Sequence, residues 1–338
     1  MLIKKLADTD GPPSWEDGVR EAIRGEIAGY VDDLYADRLG NLYAGKNTGT
    51  QGMRIALSAH MDEAGMVVTF IEKSGALKFA CWGADERAIV SKPVRIGKNS
   101  VRGVIGHKPI HLQEPGEKEG ALDLAQLYVD IGADSDQEAQ QYVSIGDYIA
   151  FDSSFHEFGD NKIKAKALDG REGCAAVVEI LKSGLPYALT AVFTTQELVG
   201  SRGAETAASR INADVLINLN AFTCAGRDDC GDSPGKVRLG MGPVITLADE
   251  GSVFLRRYAN LALAAATARN VPIQLASGKG NTAASRYHTA RGGMPVIGLG
   301  IPVRYPCSPA SVADTRDYEH LLILLREIII RLNEGQVV

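Results

Sequence analysis

The sequence predicts an α/β fold of three layers, in which helices cover both faces of a mainly parallel sheet and a small β-barrel is inserted into the chain. Helical and strand patterns alternate near the start and again after residue 162. Between residues 65 and 160 short β-rich runs dominate, separated by turns with Gly, Lys and Asn, a texture typical of a small barrel or sandwich. The chain also has 338 residues, more than the roughly 250–300 that one hydrophobic core usually serves.

These observations predict two domains. Residues 1–64 and 161–338 would form a discontinuous α/β domain, and residues 65–160 would form the inserted barrel. In an α/β sheet of this kind, functional sites lie at the carboxyl ends of the strands. We therefore expect the chemistry where the strands of the α/β domain run out into loops.

The amino-terminal part predicts one helix and one strand. Ser14 is a good N-cap, and the helix would run from about there to Asp37. Its apolar stripe repeats at every fourth residue, which marks a core-facing side: Val19, Ile23, Ile27 and Val31. After a turn, the run Arg54–Ala59 predicts a buried strand.

The later elements follow from the same patterns. The barrel strands are predicted at Met66–Ile71, Ala88–Ile96, Val101–Ile105, Leu127–Ile131 and Tyr148–Phe151. In the second α/β segment, strands are predicted at Ala188–Thr194, Val215–Leu219 and Val296–Gly300. Helices are predicted at Gly173–Leu181, Gly203–Ser209, Ser252–Ala268 and Tyr318–Leu332.

Composition excludes several classes of function. The net charge of −6 gives the chain no electrostatic attraction to nucleic acid or to an anionic membrane. No apolar run is long enough to span a bilayer, and Met1–Asp8 lacks the apolar core of a signal peptide, so we expect a cytoplasmic protein. The five cysteines are irregularly spaced and form no C-x-x-C pair, which argues against a disulfide framework and a zinc knuckle.

The segment Ser58–Gly65 carries the most informative local pattern. His60 and Asp62 follow an apolar run and are two residues apart, so on a strand they would point to the same face. A metal-binding imidazole commonly has such an orienting carboxylate beside it. The alternative is an ordinary polar strand end, because an H-x-D pair alone is a weak motif.

Four more polar residues occur where predicted strands end. Each also has a structural explanation on its own. Asp169 would serve as a helix N-cap and Glu197 as a solvated loop acid. Asn220 would serve as a turn former and Cys307 as a small buried hydrophobe.

Taken in order and spacing, these segments resemble one family nearly end to end. The chain resembles the cytoplasmic dinuclear metallo-aminopeptidases of the glutamyl aminopeptidase and tetrahedral aminopeptidase group, some of which have been labelled endoglucanases. The resemblance lies in Ser14–Arg24, Asp37–Asn41, Ala59–Gly65, Gly103–Leu112, Leu127–Ala133, Asp169–Cys174, Thr195–Ala204, Gly231–Gly235 and Ile301–Tyr305.

The resemblance implies a role for each matched residue. His60 matches a metal ligand and Asp62 the carboxylate that orients it, while Asp169 matches the acid that bridges two metal ions. Glu197 matches the general base. Two divalent cations about 3.5–4 Å apart activate a shared water and polarise the peptide carbonyl. The resemblance further implies short peptide substrates and homo-oligomers built from dimers, with the β-domain contributing contacts.

The chain departs from the family pattern at three ligand positions. Leu198, Asn220 and Cys307 stand where the family has glutamate, aspartate and histidine. Leucine cannot bind a cation, asparagine offers only a neutral oxygen, and cysteine suits zinc better than manganese or magnesium. We therefore expect at most one divalent metal, such as zinc or cobalt, held by His60, Asp169 and Cys307 with a weak contribution from Asn220.

Several alternatives stay open at this stage. The protein is either an aminopeptidase that works with at most one metal or a catalytically silent relative that binds peptides or serves in assembly. In a third reading a rearranged site performs another reaction, and a polar loop could supply replacement ligands from Asp228, Asp229, Cys230 or Asp232. Carbohydrate hydrolysis requires two carboxylates at a set separation, and the sequence singles out no such pair.

Overall fold

The computed structural model describes residues 1–109, 111, 123–224, 236–278 and 280–337. The first strands are β1 (Asp33–Ala36), β2 (Leu42–Lys46), β3 (Ile55–His60), β4 (Gly65–Ile71), β5 (Leu77–Trp82), β6 (Pro93–Ile96), β7 (Val101–His107), β8 (Leu127–Asp130) and β9 (Tyr148–Phe151). The later strands are β10 (His156–Phe158), β11 (Lys162–Ala165), β12 (Leu189–Thr194), β13 (Val215–Leu219), β14 (Phe222–Thr223), β15 (Val244–Ala248), β16 (Gln274–Ser277), β17 (Val296–Gly300), β18 (Pro302–Val303) and β19 (Ser311–Asp314). The helices are α1 (Leu2–Asp8), α2 (Asp17–Ile27), α3 (Glu86–Ile89), α4 (Asp136–Ala139), α5 (Leu168–Lys182), α6 (Arg202–Arg210), α7 (Arg256–Ala268), α8 (Ala284–His288) and α9 (Thr315–Asn333).

A large mixed sheet forms the centre of the α/β part. Among the described residues it has eight strands in the order β1-β2-β12-β3-β13-β17-β15-β16. The four central strands, β12, β3, β13 and β17, are parallel. At the margins, β1, β2 and β15 pair antiparallel with their inner neighbours, and β16 is parallel to β15. The predicted parallel arrangement is therefore confirmed at the centre of the sheet.

Helices cover both faces of this sheet. Helices α1, α2, α5, α7 and α9 pack on one face, in a core that includes Leu57 and Val177. Helices α6 and α8 pack on the other face, in a core that includes Ala56 of β3 and Tyr287 of α8. Because successive strand residues point to opposite faces, the adjacent residues Ala56 and Leu57 lie in different cores. The predicted three-layer architecture is confirmed.

The inserted β-barrel is also confirmed. In the part of the chain that the structure describes, strands β4-β5-β8-β7-β6-β9 close on themselves around a core that includes Met66, Val94 and Ile149. Two residues from the α/β part, Leu198 and Cys307, pack against this core. The barrel therefore borders the candidate site, although the domain boundaries at residues 64 and 161 stay a prediction.

The first predicted helix is wrong in its bounds. Helix α2 spans only Asp17–Ile27, and Glu16 rather than Ser14 precedes it, because Ser14 has a left-handed φ of 72°. Beyond Ile27 the chain leaves the helix and reaches β1, which pairs with β2. Val31 still packs against the core, so the apolar stripe marks burial correctly but not helix.

Two further bounds are corrected. The strand predicted at Ala88–Ile96 is a short helix over Glu86–Ile89 followed by strand β6, which begins at Pro93. Proline has no N–H to donate to a sheet, so it is tolerated at a strand's first position. The helix predicted from Ser252 begins at Arg256.

Within the described ranges, no helix combines the length and the apolar character needed to cross a membrane.

Candidate active site

The candidate site lies where three neighbouring parallel strands end. Strand β3 ends at His60, next to the ends of β12 and β13. The loops that follow these three strands carry Asp62, Glu197 and Asn220, respectively. The carboxyl edge of the sheet thus brings together side chains that are far apart in the sequence.

Asp62 connects two of these loops. Its side chain is completely buried, and its two carboxylate oxygens accept hydrogen bonds from the backbone N–H groups of Glu197 and Leu198, both at 2.9 Å. The same carboxylate lies 3.4 Å from Nδ1 of His60. Asp62 therefore fixes both the imidazole and the turn that carries Glu197.

Asp169 lies on the other side of the imidazole. Its Oδ1 is 3.4 Å from Nε2 of His60, and its Oδ2 accepts a hydrogen bond from Sγ of Cys307 at 3.4 Å. The backbone N–H of Ala221, at the end of β13, also bonds to this carboxylate. The structure thus brings together three of the predicted ligands, His60, Asp169 and Cys307.

A glycine allows this close approach. The backbone is not helical at Asp169 and Gly170, although the helix assignment of α5 includes both and places the N-cap at Ala167 rather than at Asp169. Gly170 has a φ of +84°, and a Cβ on it would lie 2.5 Å from Cε1 of His60. Only glycine fits beside the ring without displacing it.

His60 and the acids beside it shift one another's pKa values. Burial opposes the charged form of His60, but Asp169 and Asp62 outweigh it and raise the pKa of His60 well above its ordinary value. Burial likewise opposes ionisation of Asp169, yet His60 lowers the pKa of that carboxyl. Each group therefore favours the charged form of the other.

Glu197 is held in a strained turn. Gln196 before it has a φ of +55°, and Oε1 of Glu197 accepts a hydrogen bond from the backbone N–H of Ala283 at 2.7 Å. Its Oε2 is buried and has no partner among the described residues. Burial raises the pKa of Glu197 to about 7, and the negative charge of Asp62 adds to the shift.

Leu198 occupies the neighbourhood of these acids. It helps to line a small cavity together with His60, Asp62, Asp169 and Cys307. The volume of this cavity is about 10 Å³, which is about the room that one water molecule needs. An apolar side chain therefore faces the carboxylates on the side of the barrel.

The donor set does not fit a metal ion as it is arranged. His60 and Cys307 approach different oxygens of Asp169 rather than a common point. Among the described residues, no group of three or more His, Cys, Asp or Glu side chains could hold a metal ion, whereas catalytic zinc usually has three protein ligands. Burial and the charge of Asp169 also raise the pKa of the Cys307 thiol, although a metal-bound cysteine must lose its proton.

Asn220 lies away from this small cavity. It lines a larger one of about 310 Å³, together with Asn218, Phe222 and Asp249. The proposed replacement ligands Asp228, Asp229, Cys230 and Asp232 lie outside the described residues. Whether these positions, or the others singled out from the sequence, bind a metal stays a prediction.

Two residues of the site region were missed by sequence reasoning. Glu172 is 1% exposed, and neither oxygen of its carboxyl has a partner in the described part of the chain. Burial, together with the charge of Asp169, raises the pKa of Glu172 well above its ordinary value. The second missed residue is Asn218. It lies on β13 two residues before Asn220, and this spacing could have predicted that the two side chains point to the same side.

The relationship to known proteins agrees with this arrangement. The model of the M42 glutamyl aminopeptidase family matches residues 40–324. The chain belongs to this family. The M42 relatives include a protein of Acetivibrio thermocellus, 37% identical over 97% of both chains, and the glutamyl aminopeptidase of Lactococcus lactis, 29% identical over 99% of this chain and 97% of that one.

Solved structures of the M42 type have the same fold. The TET1 peptidase of Pyrococcus horikoshii, described as assembling into a tetrahedron or a large octahedral shell, superposes with a TM-score of 0.87 at 29% identity. The superposition covers 97% of this chain and 98% of that one. Fold and family are therefore those expected from the sequence motifs, while the ligand positions Leu198, Asn220 and Cys307 are features of this chain.

Proposed function

We propose that this protein binds the free amino terminus of a short peptide beside Asp169 and does not hydrolyse the peptide by a two-metal reaction. The binding part is supported by charge. The carboxylates of Asp62 and Asp169 face one imidazolium, that of His60, so a negative charge is left to attract an ammonium group. The Asp169 side chain is 22% exposed, which lets a ligand reach it.

The loss of the two-metal reaction is supported by the pairing of Asp169 within the protein. Its oxygens are engaged by His60, Cys307 and the backbone N–H of Ala221. In a two-metal enzyme these oxygens would face the cations. Because Leu198 adds an apolar wall at the same place, the site is complete without a metal ion.

Glu197 supports a second candidate function. A half-buried acid with a pKa of about 7 and a buried Oε2 that is unpaired among the described residues has the properties of a general base. These properties of Glu197 favour an aminopeptidase that removes amino-terminal residues. Such an enzyme would use at most one metal, zinc or cobalt, near His60, Asp169 and Cys307. This function would require those three side chains to rearrange around a common point.

We further propose that the chain forms homo-oligomers built from dimers, with the β-barrel contributing contacts. The support is the TET1 peptidase of P. horikoshii, whose fold matches over nearly the whole chain and whose description names closed shells. Light scattering coupled to size-exclusion chromatography would test this. A monomer at micromolar concentration would contradict it.

Calorimetric titration with two peptides tests the proposed function. Ala-Ala-Ala carries a free ammonium, whereas N-acetyl-Ala-Ala-Ala does not. We expect the free peptide to bind at least about tenfold more tightly, because a charged hydrogen bond contributes roughly 1.5–3 kcal/mol. Asp169→Asn should remove this preference, and Asp130→Asn, an exposed acid on the barrel that accepts a bond from Gly132, should keep it.

Metal content and turnover separate the two candidate functions. We expect the purified protein to contain well under one metal ion per chain and to release no alanine from Ala-Ala-Ala with zinc, cobalt or manganese. Equal binding of the two peptides would contradict the proposal of amino-terminus binding. Release of alanine with one equivalent of metal would instead establish the one-metal aminopeptidase.

A further inference from the structure

A cavity of about 310 Å³ lies beside the candidate site. It is bounded by the ends of strands β13, β15 and β17 and by the segment around Thr282. This volume is at the lower end of the range for small-molecule sites, and it would take one amino-acid side chain with part of its backbone. The residues that form its floor and walls determine which side chain fits.

The floor of the cavity is a row of residues across three strands. Asn218, Gly298 and Thr246 line it and are neighbours in register on β13, β17 and β15. Gly298 has no side chain, and a Cβ on it would lie 3.0 Å from the ring of Phe254. The missing side chain leaves the space between the sheet and the aromatic ring.

Two amides in this cavity have no partner among the described residues. Asn218 is only 4% exposed and lines the cavity together with Asn220, yet in the described part of the chain neither side-chain amide makes a hydrogen bond. An apolar ligand that displaced water from these amides would leave polar groups buried without a partner, at a cost of about 1–3 kcal/mol. A ligand that offers both a donor and an acceptor avoids this cost, and a carboxamide offers both.

The described part of the lining favours an uncharged ligand. It contains no lysine, arginine or histidine, so none of these described side chains would stabilise a carboxylate by an opposite charge. The acid in it, Asp249, already accepts hydrogen bonds from the Thr282 hydroxyl and from the backbone N–H of Gly251. An apolar side chain would leave Asn218 unpaired, and a site built for hydrogen bonds discriminates strongly against such ligands.

The cavity is connected to both acids of the candidate site. Asn220 in its wall precedes Ala221, whose N–H bonds to Asp169. Thr282 in its wall precedes Ala283, whose N–H bonds to Oε1 of Glu197. The wall of the cavity is therefore adjacent in sequence to groups that bond to both acids, which would allow a residue whose ammonium group lies at Asp169 to place its side chain in the cavity.

We infer that this cavity, through the amides of Asn218 and Asn220, selects peptides whose amino-terminal residue is asparagine or glutamine. The inference rests on the proposed binding of a peptide amino terminus. It assigns Asn220, which stands at a position of a family metal ligand, to recognition of the side chain.

A matched pair of peptides tests the selectivity. Asn-Ala-Ala and Leu-Ala-Ala have first side chains of similar size, and only the first can bond to an amide. Calorimetric titration should give roughly tenfold or greater tighter binding for Asn-Ala-Ala. Gln-Ala-Ala should bind comparably, whereas Asp-Ala-Ala and Lys-Ala-Ala should bind more weakly.

Two variants connect the preference to the amides. Asn218→Leu should bring the preference for Asn-Ala-Ala over Leu-Ala-Ala to about one or reverse it, because the pocket then has no amide to satisfy at that position. Asn220→Leu should reduce the preference in the same direction. Because Asn220 lies beyond the end of strand β13, this variant tests the inference even if Asn218→Leu does not fold. Asn99→Leu, on an exposed loop of the barrel, should leave the preference unchanged.

Each other outcome has a definite meaning. Equal or tighter binding of Leu-Ala-Ala to the unaltered protein would overturn the selectivity while leaving amino-terminus binding intact. Tightest binding of Lys-Ala-Ala would overturn it too, and would assign the cavity to a cation at Asp249. If none of the peptides binds, the proposed function itself fails and the selectivity fails with it.

Discussion

The carboxylate of Asp62 holds the backbone of Glu197 from the neighbouring strand end. It accepts the N–H of Glu197 at 2.9 Å through one oxygen and the N–H of Leu198 at 2.9 Å through the other. Because Asp62 also faces Nδ1 of His60, one buried acid sets the positions of the imidazole and of the predicted general base.

Asp62→Asn should therefore be strongly destabilising. An amide can accept only one of the two N–H groups, and its own NH₂ would face the other, which leaves buried donors unpaired. We expect a loss of about 1–3 kcal/mol in the free energy of unfolding, measured by urea denaturation. Asp130→Asn, which weakens one exposed contact to Gly132, should change stability by no more than about 0.5 kcal/mol, and an equal effect of both variants would contradict the role given to Asp62.

Gly170→Ala should destabilise the protein through collision with His60. The added Cβ would lie 2.5 Å from Cε1 and 2.7 Å from Nδ1 of the ring. Gly184→Ala is a matched control, because Gly184 also has a positive φ of +71°, and no described atom lies within 4 Å of the position that its Cβ would take. The control should cost about 1–2 kcal/mol for backbone strain alone, and Gly170→Ala should cost clearly more in the same denaturation experiment; equal costs would exclude the collision.

Much of the architecture follows from local patterns. Strands β13 (Val215–Leu219) and β17 (Val296–Gly300) have the predicted bounds, and every residue of both is buried. A strand covered on both faces is a short continuous apolar run, which the sequence displays directly. Helix α2 was overextended because Val31 continues its apolar stripe although the chain there is no longer helical.

The candidate site is only partly readable from sequence. His60, Asp169 and Cys307 do come together, although only His60 ends a strand of the large sheet; Asp169 follows β11 and Cys307 follows β18, which belong to smaller sheets. The environments of Asn218 and Glu172 could not be predicted, since they depend on the register of neighbouring strands and on which side chains surround each group. Likewise, the sequence predicts that Leu198 replaces a metal ligand but could not give the size of the cavity beside it.

Restoring the family ligands should restore metal binding. The triple variant Leu198→Glu, Asn220→Asp and Cys307→His supplies the carboxylates and imidazole that the family pattern has at these positions, next to His60 and Asp169. We expect the variant to bind at least one zinc ion per chain, measured by elemental analysis after dialysis, because three or more protein ligands become available. A control with Val199→Glu, which adds one carboxylate a residue away from Leu198, should bind none, and a metal-free triple variant would show that more than these three positions has changed.

Acid should unfold the protein in part through Asp10. Its carboxylate lies 2.7 Å from both Nζ of Lys166 and a guanidinium nitrogen of Arg95. Burial works to raise the pKa of Asp10, but these two cations outweigh it and hold the pKa below its ordinary value of 3.8. A depressed pKa in the folded state means that the ionised carboxylate stabilises the protein above about pH 4, and that this contribution disappears as the pH falls through the lowered pKa.

Asp10→Asn isolates that contribution. The variant should lose about 1–3 kcal/mol of unfolding free energy at pH 7, since charged hydrogen bonds are replaced by neutral ones. Lys166 keeps its bonds to Glu63 at 2.7 and 2.9 Å, so the fold should survive. Urea denaturation between pH 7 and pH 2 should then show the two proteins converging as the pH falls below about 4, because a protonated Asp10 and an asparagine offer Lys166 a similar neutral oxygen. If the difference in unfolding free energy stays constant across that range, a group other than Asp10 accounts for the loss of stability in acid.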